Sequence, residues 1–450
     1  MEIEIIDSIH CQANNAAIGK LKPLFTYSAK FGRKTRSRVI VEKYDKCALQ
    51  KDGLFLTGML SRIQSAFPDI AVSGKVKKVK PTKKMLLKGI TPRPDQSELV
   101  NKAIEYQRGV LQSPTGSGKT IVALLLMSCF PKAKILFLCH MVDILKQTRR
   151  EMEKFGFTDV QMLGGGSKDK FKSKHKITLS TIQTFSKLDP VSYYGLFDMV
   201  ITDECHHCNS PTGLYAKVLQ LITAPMRLGL TATLPTSTEG KLYLEGLIGP
   251  VIGELTIQEG VKSNILATPN VKLIPVPYSN MIGEFNKYKD IVVHGIVENR
   301  ARNRLILEES KKQIDAGHTV LIMIREIAHG DNLVELGQDL YDLDITFVQG
   351  KTEGDTRLLV QNALDEKTTK CVICTSIWKE GVNVRSLNTV ILALGGKSAI
   401  QTAQALGRGL RTDEASGKDS VLLIDFLDPY RYLAQHSVAR VSLYVTNEWL

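Results

Sequence analysis

From about residue 91 onward, short apolar, β-rich runs alternate with helical stretches: "GVLQ", a helix, "KILFLC", a helix, "KITLST", then "DMVITDE" and "MRLGLTAT". Strands separated by helices join as parallel neighbours, because the crossover returns each strand to the same end of the sheet. The chain is thereby expected to build an α/β fold with a parallel sheet covered by helices. A second series begins near residue 318 with "HTVLIMI", "DITFVQG", "KCVICTS", "NTVILAL" and "DSVLLIDF". It predicts a second lobe of the same kind, which suits a length of 450 residues. Between the series, "EGLIGPVIGELTIQEGVKSNILATPNV" is rich in Gly and Pro and reads as a connecting segment.

The first 88 or so residues have another character. "MEIEIID", "SRVIVEKYD" and "GLFLTGML" are strand candidates, "NNAAIGKLKPLFTYS" a helix candidate and "SGKVKKVKPTKK" a basic linker. A small α+β module is expected here. Residues 1–90 hold 18 Lys and Arg against 7 Asp and Glu, so +11 of the net +13 lies in the first fifth of the chain. Such asymmetry favours a polyanionic partner. The division expected is 1–88 for a basic nucleic-acid-binding module, 89–255 for a first lobe and 256–450 for a second.

The longest apolar runs, such as "IVALLLMSCF", fall well short of the roughly 20 residues of a membrane-spanning helix. The start "MEIEIIDS" lacks the charged-then-apolar layout of a signal peptide. A soluble protein of the cytoplasm, with no membrane partner, is the expectation. Of eight cysteines, four form the pairs Cys205–Cys208 and Cys371–Cys374. The second pair lies in a strand-like run at odd spacing, which sends the two side chains to opposite faces, so thiols are expected and a zinc site is not.

The chemistry begins at "SPTGSGKT", Ser113 to Thr120. Gly116 and Gly118 let successive backbone N–H groups converge on an anion, aided by the positive end of the following helix. Lys119 reaches β- and γ-phosphates, and the Thr120 hydroxyl is placed to ligate Mg²⁺. Ser113 stands where the strict pattern has Gly. "DMVITDECHH" supplies the complement: Asp203 at a strand end to hold the metal ion, and Glu204 to polarise an attacking water. ATP and Mg²⁺ are the ligands expected.

"SPTGSGKT", "DECH", "TATL" at Thr231 to Leu234 and "QALGRGLR" at Gln404 to Arg411 resemble motifs I, II, III and VI of the superfamily 2 helicases. "RPDQ" at Arg93 to Gln96 is similar to the upstream adenine-reading element, and "LFLCHMVDILKQ" to motif Ia. "GGG" at Gly164 to Gly166 and "STIQT" resemble nucleic-acid loops, and "CTSIWKEGVNV" resembles motif V. Asn383 stands where many members have Asp, and Arg385 where many have Pro. A basic module ahead of such motifs most resembles phage recombination helicases of the UvsW kind.

The resemblance implies two RecA-like lobes with ATP between them. It implies nucleotide contacts from Arg93, Gln96, Pro114, Thr115, Gly116, Ser117, Gly118, Lys119, Thr120, Gly381 and Asn383. Asp203, Glu204 and Gln404 join Lys119 in catalysis, with Arg408 and Arg411 as arginine fingers on the transferring phosphate. His206, Thr231 and Thr233 couple nucleotide state to movement. His140, Gly165, Thr181, Thr375 and Trp378 are implied as strand contacts, to which the charge distribution adds Arg36 and Lys78. The expected activity is an ATP-dependent DNA helicase or translocase acting on branched or forked DNA. An RNA helicase and an ATP-switched clamp are the competing readings; the first lacks an RNP-like aromatic pattern, and the second has no need of Lys119, Glu204 and Arg411 together.

Overall fold

The computed structural model describes residues 1–34, 39–167, 170–375, 384, 386–396 and 420–450, with residues 30–34, 39–42, 354 and 355 described by backbone alone. The chain divides into two compact units, Met1–Ser113 with Gly118–Leu255, and Pro114–Ser117 with Thr256–Leu450.

Within the first unit, the N-terminal residues form β1 (Glu2–Ile5), β2 (His10–Ala13), β3 (Thr26–Lys34), β4 (Val39–Cys47), β5 (Leu54–Leu56) and β6 (Ala71–Ser73). Four of them make a sheet of order β5-β2-β1-β6, while β3 and β4 pair as a separate antiparallel hairpin over nine residues each. The helix Asn15–Phe25 starts at Asn14, whose side chain accepts from the Ala17 N–H at 3.1 Å, and it buries Ala17, Leu21 and Phe25 at helical spacing. It stops at Phe25 and does not run on through "TYS" as the sequence suggested. The β-favouring Thr26 and Tyr27 turn extended and pair with Cys47 and Lys46 instead.

This module is packed onto the helix Thr238–Leu247. Leu242 from that helix belongs to the core formed by Phe25, Tyr27, Phe55 and Met59, and Arg62 forks the Glu245 carboxylate, with Nε 3.1 Å from both oxygens. At Gly58 the backbones touch: a Cβ there would lie 2.0 Å from the Glu245 carbonyl oxygen and 2.6 Å from that of Gly246. Gly19, inside a helix, has open space around it. Gly58→Ala is therefore expected to destabilise the protein by about 1–3 kcal/mol through forced separation of the two backbones. Gly19→Ala should stabilise it by about 0.5–1 kcal/mol through helix propensity. Thermal melts of the two variants check the contrast; equal melting temperatures would contradict the packing described.

The tract read as a basic linker is a strap along the lobe. Lys78 Nζ donates to the Glu105 carbonyl (3.2 Å), Val79 N–H to Gln107 Oε1 (2.9 Å) and Thr82 N–H to the Cys129 carbonyl (2.9 Å). Leu87 is buried in the lobe's core, with Val79 and Met85 against it. Apolar residues interleaved with the lysines make the difference, because they anchor a segment that its charge alone would leave in water.

The lobe itself holds β7 (Arg108–Gln112), β8 (Ile135–Cys139), β9 (Val160–Leu163), β10 (Ile177–Thr181), β11 (Met199–Asp203), β12 (Met226–Thr231) and β13 (Val251–Glu254), in the order β13-β7-β12-β11-β8-β10-β9. All its pairings are parallel. Met199 and Ile201 face one core and Val200 the other, so the continuous apolar run of β11 serves both covered faces. Its carboxyl end carries Asp203, and neighbouring β12 ends at Thr231. This register, Asp203 opposite Leu230, sets the two motifs side by side.

The second unit repeats the plan with β14 (Thr268–Pro275), β15 (Thr319–Met323), β16 (Thr346–Val348), β17 (Cys371–Cys374), β18 (Leu387–Leu392) and β19 (Ser420–Leu427), in the order β14-β19-β18-β15-β17-β16, again parallel throughout. Both units are the parallel α/β lobes expected of RecA-like domains. Cys371 enters one core and Cys374 the other. The Gly- and Pro-rich tract is not a bare connection. It contains β13, the helix Ile257–Lys262 and the start of β14, because its isolated apolar residues complete the sheet edges of both units. Beyond β18 the backbone is gripped by cations: Arg302 donates to the Ala393 carbonyl (3.2 Å) and Arg440 to that of Gly396 (2.7 Å). Each is itself paired in the interior, Arg302 with Asp428 at 2.8 Å and Arg440 with Asp425 at 2.7 Å.

Candidate active site

The turn between β7 and the helix Lys119–Cys129 is built on two glycines in the left-handed region, Gly116 and Gly118, both at φ 93°. A side chain is strained there, and at Gly118 a Cβ would also lie 2.9 Å from the Gln96 amide. The turn thus abuts the "RPDQ" element, where Gln96 is buried and accepts from the Arg93 N–H at 3.2 Å, and the Arg93 guanidinium pairs with Asp95 at 3.0 Å. Within the turn, Ser117 Oγ donates to the Pro114 carbonyl at 2.8 Å. Thr115 lies between these residues. Lys119 Nζ donates to the Ser113 carbonyl at 3.2 Å, and the Ser113 N–H to the Thr231 carbonyl at 3.0 Å. A carbonyl at position 113 is what this arrangement uses, and Ser supplies it as Gly would. Thr120 follows in the first turn of the helix.

After β11 the chain turns sharply. Glu204 sits at φ 48°, ψ 49°, an unusual conformation for a non-glycine, and its N–H donates to Asp203 Oδ1 at 3.1 Å. His206 is buried, with Nδ1 lying 3.3 Å from Glu204 Oε2 and 3.0 Å from Thr231 Oγ1. The Thr231 hydroxyl donates to the Thr233 carbonyl at 2.8 Å and accepts from the Thr233 N–H at 3.2 Å. Its one proton being used, it accepts from His206, which places a proton on Nδ1. His206, Thr231 and Thr233 thus form one hydrogen-bonded chain, with the Glu204 carboxylate within ion-pair distance of the His206 ring.

Burial, with the Glu204 carboxylate beside it, pushes the Asp203 carboxyl up to about 7, against the opposing pull of Lys119 and His140. A buried carboxyl held this way, in the same lobe as a Thr hydroxyl at a helix start, suits a divalent cation, whose charge would favour the ionised form. The gradient in stability follows. Because the folded value lies above the unfolded one near 3.9, the penalty for burying the carboxylate is absent at low pH, grows between about pH 4 and 7, and is then constant. Asp203→Asn is accordingly expected to raise the melting temperature of the metal-free protein most at pH 8, by about 1–4 kcal/mol of stability, and hardly at pH 4. A gain independent of pH would contradict the assigned burial.

The strand-contact candidates are arranged differently. Gly164, Gly165 and Gly166 all have positive φ (96°, 67° and 86°), and a Cβ on Gly164 would meet Thr184 Oγ1 at 2.6 Å. The glycine loop therefore lies on the turn where Thr181 caps the helix Ile182–Phe185, its hydroxyl donating to Thr184 Oγ1 at 2.9 Å. Thr181 fixes the loop, while the Gly165 backbone rests near Val142, the start of the earlier helix Val142–Lys154. Thr375 is buried just past β17. Lys78 is exposed, with its ammonium on the Glu105 carbonyl in the last turn of the helix Pro94–Tyr106. The expected contacts at Arg36, Trp378, Gly381, Asn383, Gln404, Arg408 and Arg411 lie outside the described residues. Sequence reasoning passed over His207, whose ring touches those of His140 and His206. Its only signal was the doubled histidine of "CHH".

Among the described residues no group of three or more His, Cys, Asp or Glu side chains could hold a metal ion by themselves, and no helix is long and apolar enough to cross a membrane. Cys205 and Cys208 are both buried in the lobe's core.

Residues 89–236 match the type III restriction enzyme res subunit family, and residues 297–413 the helicase conserved C-terminal domain. The ATP-dependent DNA helicase uvsW of Enterobacteria phage T4 is 22% identical over 393 residues, 80% of this chain and 76% of the relative. The DNA 3′-5′ translocase XPB2 of Sulfurisphaera tokodaii is 27% identical over 366 residues, 73% of this chain and 80% of the relative. Against a helicase of the Sulfolobus islandicus filamentous virus, 26% identical over 375 residues, the alignment covers 64% of the relative's length. In fold, the chain is similar to a fragment assigned as an HsdR subunit of a type I restriction enzyme from Vibrio vulnificus, with a TM-score of 0.61 at 17% identity over 91% of this chain and 89% of that one.

Proposed function

The chain belongs to the superfamily 2 helicases, and we propose that it spends ATP hydrolysis on unwinding or branch-migrating branched DNA. The observation that carries this is the placing of the Glu204 carboxylate against His206, which is hydrogen-bonded on to Thr231 and Thr233, in the same lobe as the Lys119 turn. A phosphate-binding turn needs only Lys119 and the glycines. A motor needs the acid that handles water to be tied to a part that moves.

In this reading the backbone N–H groups of the Gly116–Gly118 turn bind the β- and γ-phosphates, and Lys119 exchanges the Ser113 carbonyl for the transferring phosphoryl group. Gln96 and Arg93 hold the base. Thr120 and Asp203 would hold Mg²⁺, which when bound would supply charge neutralisation on the phosphate oxygens. Glu204 orients the attacking water and takes its proton, while Arg408 and Arg411 stabilise the charge developing on the phosphate. His206 reports the state of Glu204 to Thr231 and, with Gln404, to the second domain. The glycine loop and the His140 turn track the DNA backbone, and the basic N-terminal module holds the duplex.

DNA is chosen because two of the similar proteins are named as a DNA helicase and a DNA translocase, and because the excess charge sits in the module and not in the lobes. The test is the ATPase rate measured in parallel with no nucleic acid, single-stranded DNA, duplex DNA, a four-way junction and RNA. The reading expects strongest stimulation by branched DNA. Stimulation by RNA alone would replace it with the RNA-helicase reading.

A further inference from the structure

Three imidazole rings stand in line within the first unit. The His140 and His207 ring centres are 4.3 Å apart at an interplanar angle of 52°, and those of His207 and His206 are also 4.3 Å apart, at 36°. At one end, His206 hydrogen-bonds Thr231 and faces the Glu204 carboxylate at 3.3 Å. At the other, His140 follows β8 directly, and its carbonyl accepts from Gln183 Nε2 (3.2 Å), which ties it to the Thr181 turn on which the glycine loop lies. Tyr215 lies parallel to His207, at 9° and 6.2 Å, and backs the middle ring.

Rings at 4.3 Å are in van der Waals contact; His206 is buried and His140 and His207 are half-buried, so a ring that shifts presses on the next one. The line therefore joins the nucleic-acid loops of this lobe to the acid of the hydrolytic site by direct contact. Glu204 is sensitive to such a push. Its backbone is held in a strained left-handed conformation, which persists only while its surroundings enforce it.

We propose that His207 is a positioning residue, the middle of a contact relay through which a DNA strand bound at the His140 turn sets His206 and, through it, Glu204. The inference rests on the DNA-motor reading above and adds to it the route by which DNA accelerates hydrolysis. His207 touches neither phosphate nor DNA in this scheme; its ring fills the space between two residues that do the sensing and the response.

The experiment compares wild type, His207→Ala and His207→Phe as full chains, each checked by thermal melting, for ATP turnover without DNA and at saturating four-way junction DNA. Wild type should be stimulated. In His207→Ala the stimulation ratio should fall about tenfold, a coupling of about 1.4 kcal/mol, with turnover in the absence of DNA and the KM for ATP little changed. In His207→Phe, which restores a ring of similar shape, most of the stimulation should return. Full stimulation in His207→Ala overturns the relay, as does an equal loss of turnover with and without DNA. A Phe variant no better than Ala overturns it too. Should wild type itself respond to no DNA, the motor reading fails and the relay with it.

Discussion

Lys119→Ala is expected to lower ATP turnover by 10² to 10³, a loss of about 3–4 kcal/mol of transition-state stabilisation. The ammonium sits at the head of the glycine turn, held ready by the Ser113 carbonyl at 3.2 Å. Removing it leaves the backbone cradle intact, so nucleotide still binds, though less tightly, and the loss appears chiefly in kcat. Lys119→Arg should recover little, because a planar fork does not fit a turn shaped for a point charge. Steady-state turnover of the folded variants checks this. Near-normal turnover in Lys119→Ala would remove the turn from the chemistry.

The second large effect concerns the hairpin. Replacing Arg33, Lys34, Arg36 and Arg38 by Ala takes four positive charges from the end of β3 and the residues that follow it. If each neutralises a DNA phosphate, the plot of log affinity against log salt becomes shallower by about 3–4, at a slope of about −0.9 per phosphate. Affinity at 0.1 M salt should drop by roughly 10² or more. ATP turnover at saturating DNA should remain, since the nucleotide groups all lie downstream, and unwinding of branched substrates should suffer more. Substitution is the right tool here and deletion is not. A chain begun near Lys88 would strip Val79, Met85 and Leu87 from the lobe's core and expose Leu242 beneath the module. An unchanged salt slope, read from equilibrium binding across a salt series, would assign the module another partner.

Most of the architecture was legible because parallel sheets covered on both faces write themselves as continuous apolar runs. "KILFLC", "DMVITDE" and "KCVICTS" are such runs, and each became a strand with its carboxyl end where a motif residue was expected. The glycine turn and the acids were legible for a different reason: their chemistry is local and fixes the spacing. What escaped reading depends on distant partners. Strand β9 is only four residues, and β13 is an edge strand with an exposed Val251, so neither has a run long enough to stand out from turns. The strap from Val76 to Leu87 looked like a charged linker, since burial of its few apolar residues is decided by a lobe that comes later in the chain. Arg227 is the clearest case. It interrupts "MRLGLTAT" as a charge, yet it is buried and donates to the carbonyls of Leu247 (3.0 Å), Ile222 (2.5 Å) and Leu219 (2.8 Å). Nothing adjacent in sequence announces those acceptors. The contact of His207 with His140 is of the same kind, made across 67 positions of chain by the pairing of β8 with β11.

The claim at the centre of this account is that hydrolysis at the Lys119–Glu204 site drives remodelling of DNA. Strand separation of a labelled four-way junction, followed with ATP, with a non-hydrolysable ATP analogue and with no nucleotide, tests it most directly. The account predicts separation with ATP alone, abolished in Lys119→Ala. Separation to the same extent with the analogue would contradict it, because binding energy and not hydrolysis would then be doing the work, and the protein would be a nucleotide-switched clamp.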